Sequence, residues 1–273
     1  MTKQKQPMTH QPRKRFGQNF LHDPGVIRRI VESIHPRPGQ QLVEIGPGQG
    51  ALTRPLLEAC GRLDVVELDR DLVTPLQQQL GETGELIVHQ ADALRFDFCA
   101  LKQGAQRLRV VGNLPYNIST PLLFHLMHQA ECIEDMHFML QKEVVQRMVA
   151  TPGNKNYGRL TVMLAYHCEA EMLFTVSPGA FFPAPKVDSA IVRLRPHRQP
   201  PVEVNNPALL EKLVAQAFSQ RRKTLRNNLK GWLNAEAIAE RDIDPGIRAE
   251  RLTLAQFARL CNALPDSFSP AKM

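Results

Sequence analysis

Apolar positions fall into short buried runs separated by amphipathic stretches, and the two alternate from residue 24 to about residue 150. Pro24 opens an amphipathic helix through about Ser33, and Pro36, Pro38 and Gly39 close it. Gln41–Ile45 reads as a buried strand that runs directly into Gly46-Pro47-Gly48-Gln49-Gly50, followed by a helix from about Ala51 to Cys60. Strand, Gly-rich turn and helix form the first unit of a doubly wound α/β sheet. Further strands are predicted at Asp64–Asp69, Leu86–His89, Val110–Gly112 and Met136–Leu140. Ser119 is expected to cap a helix through about Gln129, with Pro121 in its first turn, and Lys142 to Ala150 forms another. Thr151–Asn154 is a polar loop, and Gly158 to His167 is apolar enough to be a buried helix. Two late strands, near Met172–Val176 and Val187–Leu194, flank Phe181-Phe182-Pro183-Ala184-Pro185-Lys186. That stretch is too Pro-rich for a strand and reads as a rigid loop presenting an aromatic, with simple core plugs as the other reading.

Arg195–Pro201 has the composition of a linker, and beyond it the periodicity is helical only: Asn206–Phe218, Lys223–Leu233, a short piece near Ala235–Arg241, and Leu254–Ala263. The expected organisation is a disordered tail over residues 1–12, an α/β domain over 13–200 and a small all-helical domain over 201–273. No apolar run approaches the roughly 20 residues of a membrane span. The polar, Gln-rich start has no apolar core of a signal peptide. The five cysteines (60, 99, 132, 168, 261) are odd in number and scattered, so neither a disulfide framework nor a zinc site is expected, and a reducing cytoplasm fits best.

Charge adds a partner class. The net charge is +7 and the pI about 9.3. Residues 1–37 carry eight Lys/Arg against only Asp23 and Glu32, and a second basic cluster runs from Arg221 to Lys230. One such run is usually a solvated face; two favour a polyanion surface. The candidate RNA contacts are Arg13, Lys14, Arg15, Arg221, Arg222, Lys223 and Arg226.

Candidate chemistry sits where strands end. Val110-Val111-Gly112 stops at Asn113-Leu114-Pro115-Tyr116: a carboxamide, a stiff Pro and an aromatic ring. Such a platform suits a planar group bearing an exocyclic amine. The amine's lone pair is delocalised into its ring until acceptors hold its N–H groups. Asn113 Oδ1 and the Leu114 carbonyl can accept those bonds while Tyr116 stacks on the ring. A plain β-to-α turn, with Asn as a helix cap, fits these four residues equally. The G-x-G-x-G spacing at Gly46, Gly48 and Gly50 departs from the G-x-G-x-x-G of dinucleotide sites and favours a ligand without a pyrophosphate. Glu67 follows Gly46 by about 20 residues, where a nucleoside site places a ribose carboxylate, and Asp92 ends the third strand, within reach of an adenine amine. Singly, an acid after a strand is more often a helix cap. Gly46, Glu67, Asp92 and Asn113 at the ends of successive strands describe one ligand crevice.

Phe16-Gly17-Gln18-Asn19-Phe20-Leu21, Glu44–Gly50, Asn113–Tyr116 and Phe181–Ser189, in that order, closely resemble the ribosomal RNA adenine N6,N6-dimethyltransferases, from about Arg13 to Leu229. The resemblance is greatest to the bacterial branch acting on two adjacent adenosines near the 3′ end of 16S rRNA, whose loss gives kasugamycin resistance. It implies a Rossmann-like class I methyltransferase sheet with a helical RNA-recognition tail. S-Adenosyl-L-methionine would be held by Asn19, Leu21, Gly46, Gly48, Glu67, Asp92 and Asn113, with no metal. Asn113–Tyr116 would hold the target adenine and Phe181 would stack on it. The implied partner is 16S rRNA in the 30S subunit or its precursor, bound by a cytoplasmic monomer with no membrane contact. A 23S rRNA dimethyltransferase shares the chemistry, but the Pro-rich linker and basic helical tail favour the small-subunit enzyme. A DNA-adenine or glutamine-amide methyltransferase shares the platform, though not the basic termini. An assembly factor that uses catalysis little is a reading from another class.

Overall fold

The computed structural model describes residues 19–265 and 268. The tail expected over 1–12 and the basic residues Arg13, Lys14 and Arg15 lie outside them. In chain order the elements are β1 (Phe20–Leu21), α1 (Pro24–Ile34), β2 (Leu42–Ile45), α2 (Thr53–Cys60), β3 (Arg62–Glu67), α3 (Arg70–Leu80), β4 (Glu85–Gln90), β5 (Leu108–Asn113), α4 (Ser119–Met127), β6 (Ile133–Gln141), α5 (Lys142–Met148), α6 (Arg159–His167), β7 (Cys168–Val176), β8 (Phe181–Phe182), β9 (Ser189–Pro196), α7 (Pro207–Ala217), α8 (Leu225–Asn228), α9 (Ala235–Ala239) and α10 (Leu254–Asn262).

Seven strands form one sheet in the order β4-β3-β2-β5-β6-β9-β7. The first five are mutually parallel, and β9 runs antiparallel to β6. From β2 the chain winds outward to β4 and then returns to lay β5 on the other side of β2. That reversal opens a crevice between the carboxyl ends of β2 and β5. Gly112 lets the two strands meet there, since a Cβ on it would stand 2.6 Å from the Ile45 carbonyl oxygen. α1 starts where Asp23 Oδ1 accepts from the Gly25 and Val26 N–H groups at 2.8 and 3.0 Å. Ser119 is not the expected cap. It is the first residue of α4, and its Oγ donates to the Tyr116 carbonyl at 3.1 Å.

The expectation of no disulfide is corrected at Cys99 and Cys132, whose sulfurs are bonded at 2.10 Å. They lie 33 residues apart, but each precedes one of the neighbouring strands β5 and β6, which only the fold makes adjacent. The bond is at the amino ends of those strands, away from the crevice. Among the described residues no helix is long and apolar enough to cross a membrane.

Two compact units result: one through Val145 plus Glu171–Pro196, the other Gln146–Ala170 plus the chain from His197 on. The second unit thus takes residues 146–170, which the expected boundary near 200 had left with the α/β domain. α6 is buried almost all round and finds its neighbours in α7 and α10. Within that unit Tyr157 donates to the Leu252 carbonyl at 2.8 Å and Arg159 pairs with Glu211 at 2.9 Å. The helix expected over Lys223–Leu233 shrinks to the four residues of α8. Asn228 turns inward, donating to the carbonyls of Ala217 and Gln220, and Gly231 at φ 85° leaves helical geometry.

Candidate active site

The Gly-rich turn places backbone where a side chain would obstruct. Gly48 has φ 56°, and a Cβ on it would press on the Phe20 ring at 3.2 Å. Its N–H donates to Glu67 Oε2 at 3.3 Å, while the Asp69 N–H donates to Oε1 at 2.8 Å. Glu67 is therefore fixed by two backbone donors, with lone pairs left on both oxygens for a diol. Burial raises its carboxyl above the usual range against the pull of those two N–H groups. Asp92 Oδ1 accepts from the Leu94 N–H at 3.0 Å, an Asx turn that holds the acid at the end of β4.

The Asn113 amide is orientated without ambiguity. Its Nδ2 donates to the Asn19 carbonyl at 3.1 Å, and only the nitrogen of an amide can donate to a carbonyl. Oδ1 is thereby left as the acceptor. The Leu114 N–H is spent on the Met139 carbonyl at 3.2 Å, tying the platform to β6. Tyr116 lies half-buried with its hydroxyl 2.8 Å from Ser189 Oγ, and burial raises its phenol pKa, so it stays neutral. Residues 20–21 are held in turn by β8, in the register Phe20↔Phe182 and Leu21↔Phe181.

These parts enclose a cavity of about 300 Å³. Every residue expected to bind the donor (Asn19, Leu21, Gly46, Gly48, Glu67 and Asp92), together with the whole Asn113–Tyr116 platform, lines it. Sequence reasoning passed over Glu44 as a site residue, although an acid inside the apolar run Leu42–Ile45 is itself a signal. Glu44 is 2% exposed, and its Oε2 and the Thr53 Oγ1 have no hydrogen-bond partner. Burial pushes its carboxyl up to about 8, with the Thr53 hydroxyl opposing and Glu67 adding to the rise. Among the described residues the lining carries four acidic side chains, Glu44 in its protonated form together with Glu67, Asp69 and Asp92, and no Lys, Arg or His. Such a wall suits a cation. A carboxylate fixed for a diol, an acid for an adenine amine and a negative wall for a sulfonium fit S-adenosylmethionine. Among the described residues no cluster of His, Cys, Asp or Glu could hold a metal.

Phe181 is 3% exposed, packs in the core with Leu21, Ile30, Val111, Met139 and Ile191, and is not among the residues that line the cavity. Its neighbour Phe182 is the exposed ring, at 67%. In the basic cluster all four of Arg221, Arg222, Lys223 and Arg226 are exposed, and Arg221 also pairs inside its own unit with Glu250 at 3.1 Å and the Lys155 carbonyl.

The family pattern described as ribosomal RNA adenine dimethylase matches residues 9–266. The chain belongs to the ribosomal RNA adenine dimethylases. Among relatives, the Ribosomal RNA small subunit methyltransferase A of Pseudomonas aeruginosa is 60% identical over 257 residues, covering 94% of this chain and 96% of its own. That of Pseudomonas fluorescens Pf-5 is 56% identical over 271 residues, covering 99% of each. Among solved structures, a dimethyladenosine transferase from Plasmodium falciparum superposes with TM-score 0.75 at 25% identity, covering 88% of this chain and 95% of that one. The 23S rRNA methyltransferase ErmE superposes with TM-score 0.69 at 29% identity, covering 90% and 99%. The fold is that of the class I methyltransferases, and this rRNA adenine dimethylase is an enzyme whose methyl donor is S-adenosylmethionine.

Proposed function

We propose that the protein transfers methyl groups from S-adenosylmethionine to the exocyclic N6 of two adjacent adenosines near the 3′ end of 16S rRNA, in the 30S subunit or its precursor. It acts as a cytoplasmic monomer. The observation that carries the chemistry is the Asn113 amide, locked by the Asn19 carbonyl at the edge of an anionic cavity. The choice of RNA is supported by the small-subunit names of relatives at 55–60% identity along nearly the whole chain.

When bound, S-adenosylmethionine supplies an electrophilic methyl group on a good leaving group. Glu67 takes the ribose hydroxyls and Asp92 the adenine amine of the donor. Asn113 Oδ1 and the Leu114 carbonyl accept the two N–H bonds of the target amine, drawing its lone pair out of conjugation and onto the line of attack. Pro115 stiffens the platform, and Tyr116, its hydroxyl anchored on Ser189, presents a fixed face to the base. The amine proton passes to water after transfer, so no side chain need act as a strong base. An N6-methyladenosine keeps one N–H, which the same acceptors still orient for the second transfer. The target must leave its stack, which single-stranded or loop RNA permits at little cost.

The test is tritiated-methyl transfer onto unmethylated small subunits, large subunits and naked rRNA, followed by nucleoside analysis. Dimethyladenosine confined to the small subunit is the expected result. Label on the large subunit would replace this reading by a 23S rRNA activity.

A further inference from the structure

The Phe181–Phe182 pair divides its rings between two environments, and only one of them has an evident purpose. Phe181 fills the core. Phe182, two-thirds exposed, begins an open apolar ridge that continues through Pro183 and Ala184 to Val187, 47% exposed, with the exposed charge of Lys186 beside it. A single exposed apolar residue is ordinary, but a contiguous exposed apolar stretch of this kind marks a contact surface.

Both ends of this ridge are fastened to the acceptor platform. At its start Phe182 stands in register with Phe20, which lines the cavity next to Asn19, the residue whose carbonyl holds Asn113. At its end Ser189 holds the Tyr116 hydroxyl. Between them the ridge is stiff, with two prolines and an ion pair from Asp188 to Lys142 at 3.1 Å. A rigid aromatic face loses little conformational freedom when a flat partner settles on it. The ring is thus tied, through Phe20 at one end and Ser189 at the other, to the platform that holds the reacting amine.

We propose that Phe182 is a positioning residue for RNA, its exposed ring stacking on an unpaired nucleobase that flanks the methylated adenosine while Lys186 meets the backbone phosphate. The assignment rests on the proposed function. It commits to a nucleobase rather than a protein because the ridge is bracketed by the target's own platform and carries a cation for a polyanion. Stacking on one aromatic side chain typically changes nucleic-acid affinity by roughly tenfold.

The experiment uses the full-length protein with unmethylated small subunits, and with a short single-stranded RNA carrying 2-aminopurine beside a target adenosine. Phe182→Ala and Phe182→Leu should raise KM for the subunit roughly tenfold with little change in kcat and none in donor affinity by calorimetry. Phe182→Trp should restore KM. Wild type and the Trp variant should quench 2-aminopurine fluorescence, and the Ala and Leu variants should not. A Leu variant as good as Phe, or unchanged KM and quenching in the Ala variant, would overturn the stacking assignment alone and leave the ridge as a surface for a protein or no partner. Wild type inactive on every rRNA substrate would overturn the proposed function and this inference with it.

Discussion

At the scale of single residues, the site depends on groups whose freedom has been taken away. Asn113 has its amide nitrogen committed to the Asn19 carbonyl, so truncation removes the Oδ1 acceptor and with it the donor that ties Asn19 to the platform. Asn113→Ala should lower single-turnover methylation by roughly 100-fold or more for both mono- and dimethyladenosine, with donor affinity changed far less. Near-wild-type dimethylation would reduce Asn113 to a turn residue. Glu44 is a different case. Its folded pKa of about 8 lies above the ordinary 4.5, so in the empty protein it holds a proton at neutral pH. A cation bound beside it favours the ionised form, so binding must release that proton. Donor affinity should therefore climb as pH rises from about 6 to 7.5, approaching tenfold per unit, and Glu44→Gln should flatten the slope. Calorimetry in buffers of different ionisation enthalpy counts the released proton directly; none released would remove Glu44 from the donor site.

At the scale of elements, strand ends were legible and short or inward-facing pieces were not. The runs Leu42–Ile45 and Val110–Val111 are apolar because both faces of a central parallel strand are covered, and such runs announce themselves. Glu67 and Asn113 could be placed because each ends such a run, and Asp92 because it follows the edge strand β4 by two residues. β1 and β8 are two residues each, below any period that could be read, so the pairing that buries Phe181 and exposes Phe182 was invisible. The reach of α6 into the second unit was hidden for a related reason: an all-round apolar helix states that it is buried but not against what. In the basic segment, spacing suggested one continuous cationic helix, yet Asn228 and Leu229 point inward and break it. The division of labour there yields a prediction. Reversing Arg222, Lys223 and Arg226 should weaken subunit binding and reduce its salt dependence, leaving donor binding intact. Arg221→Ala should weaken subunit binding less than any of the other three, since its charge is shared with Glu250, and should lower thermal stability only slightly because the pair is exposed on the arginine side. An unchanged salt slope in the triple variant would make this face merely solvated.

At the scale of the whole molecule, charge buried in the sheet limits where the protein is stable. His137 on β6 is 3% exposed and neither ring nitrogen has a hydrogen-bond partner. Burial lowers its pKa to about 4; Asp135 opposes the shift, and Arg109, Arg193 and Arg195 reinforce it. The unfolded histidine titrates near 6.5, so its neutral form costs nothing above that pH, while below it the unfolded chain gains a proton the native chain refuses. Stability should fall between about pH 6.5 and 4, by roughly 3 kcal/mol at most. His137→Leu should narrow the gap between urea midpoints measured at those two pH values; an unaltered gap would place the acid sensitivity elsewhere. The four acids of the cavity bear on another matter, the rhythm of turnover. Two methyl groups on each of two adenosines, the function proposed above, require the spent donor to be replaced between transfers. Methyl loss turns the sulfonium into a neutral thioether, so the acidic lining loses one of the two cationic groups of the donor while the ribose and adenine contacts remain. Each transfer thus loosens its own by-product. S-Adenosylhomocysteine should bind at least about tenfold more weakly than sinefungin, which keeps a protonated amine where the sulfonium stood. Added salt should shrink that difference. Equal affinities by calorimetry would show that the carboxylates do not pace the exchange; unequal ones would make the cavity's charge the reason the spent donor gives way to a fresh one.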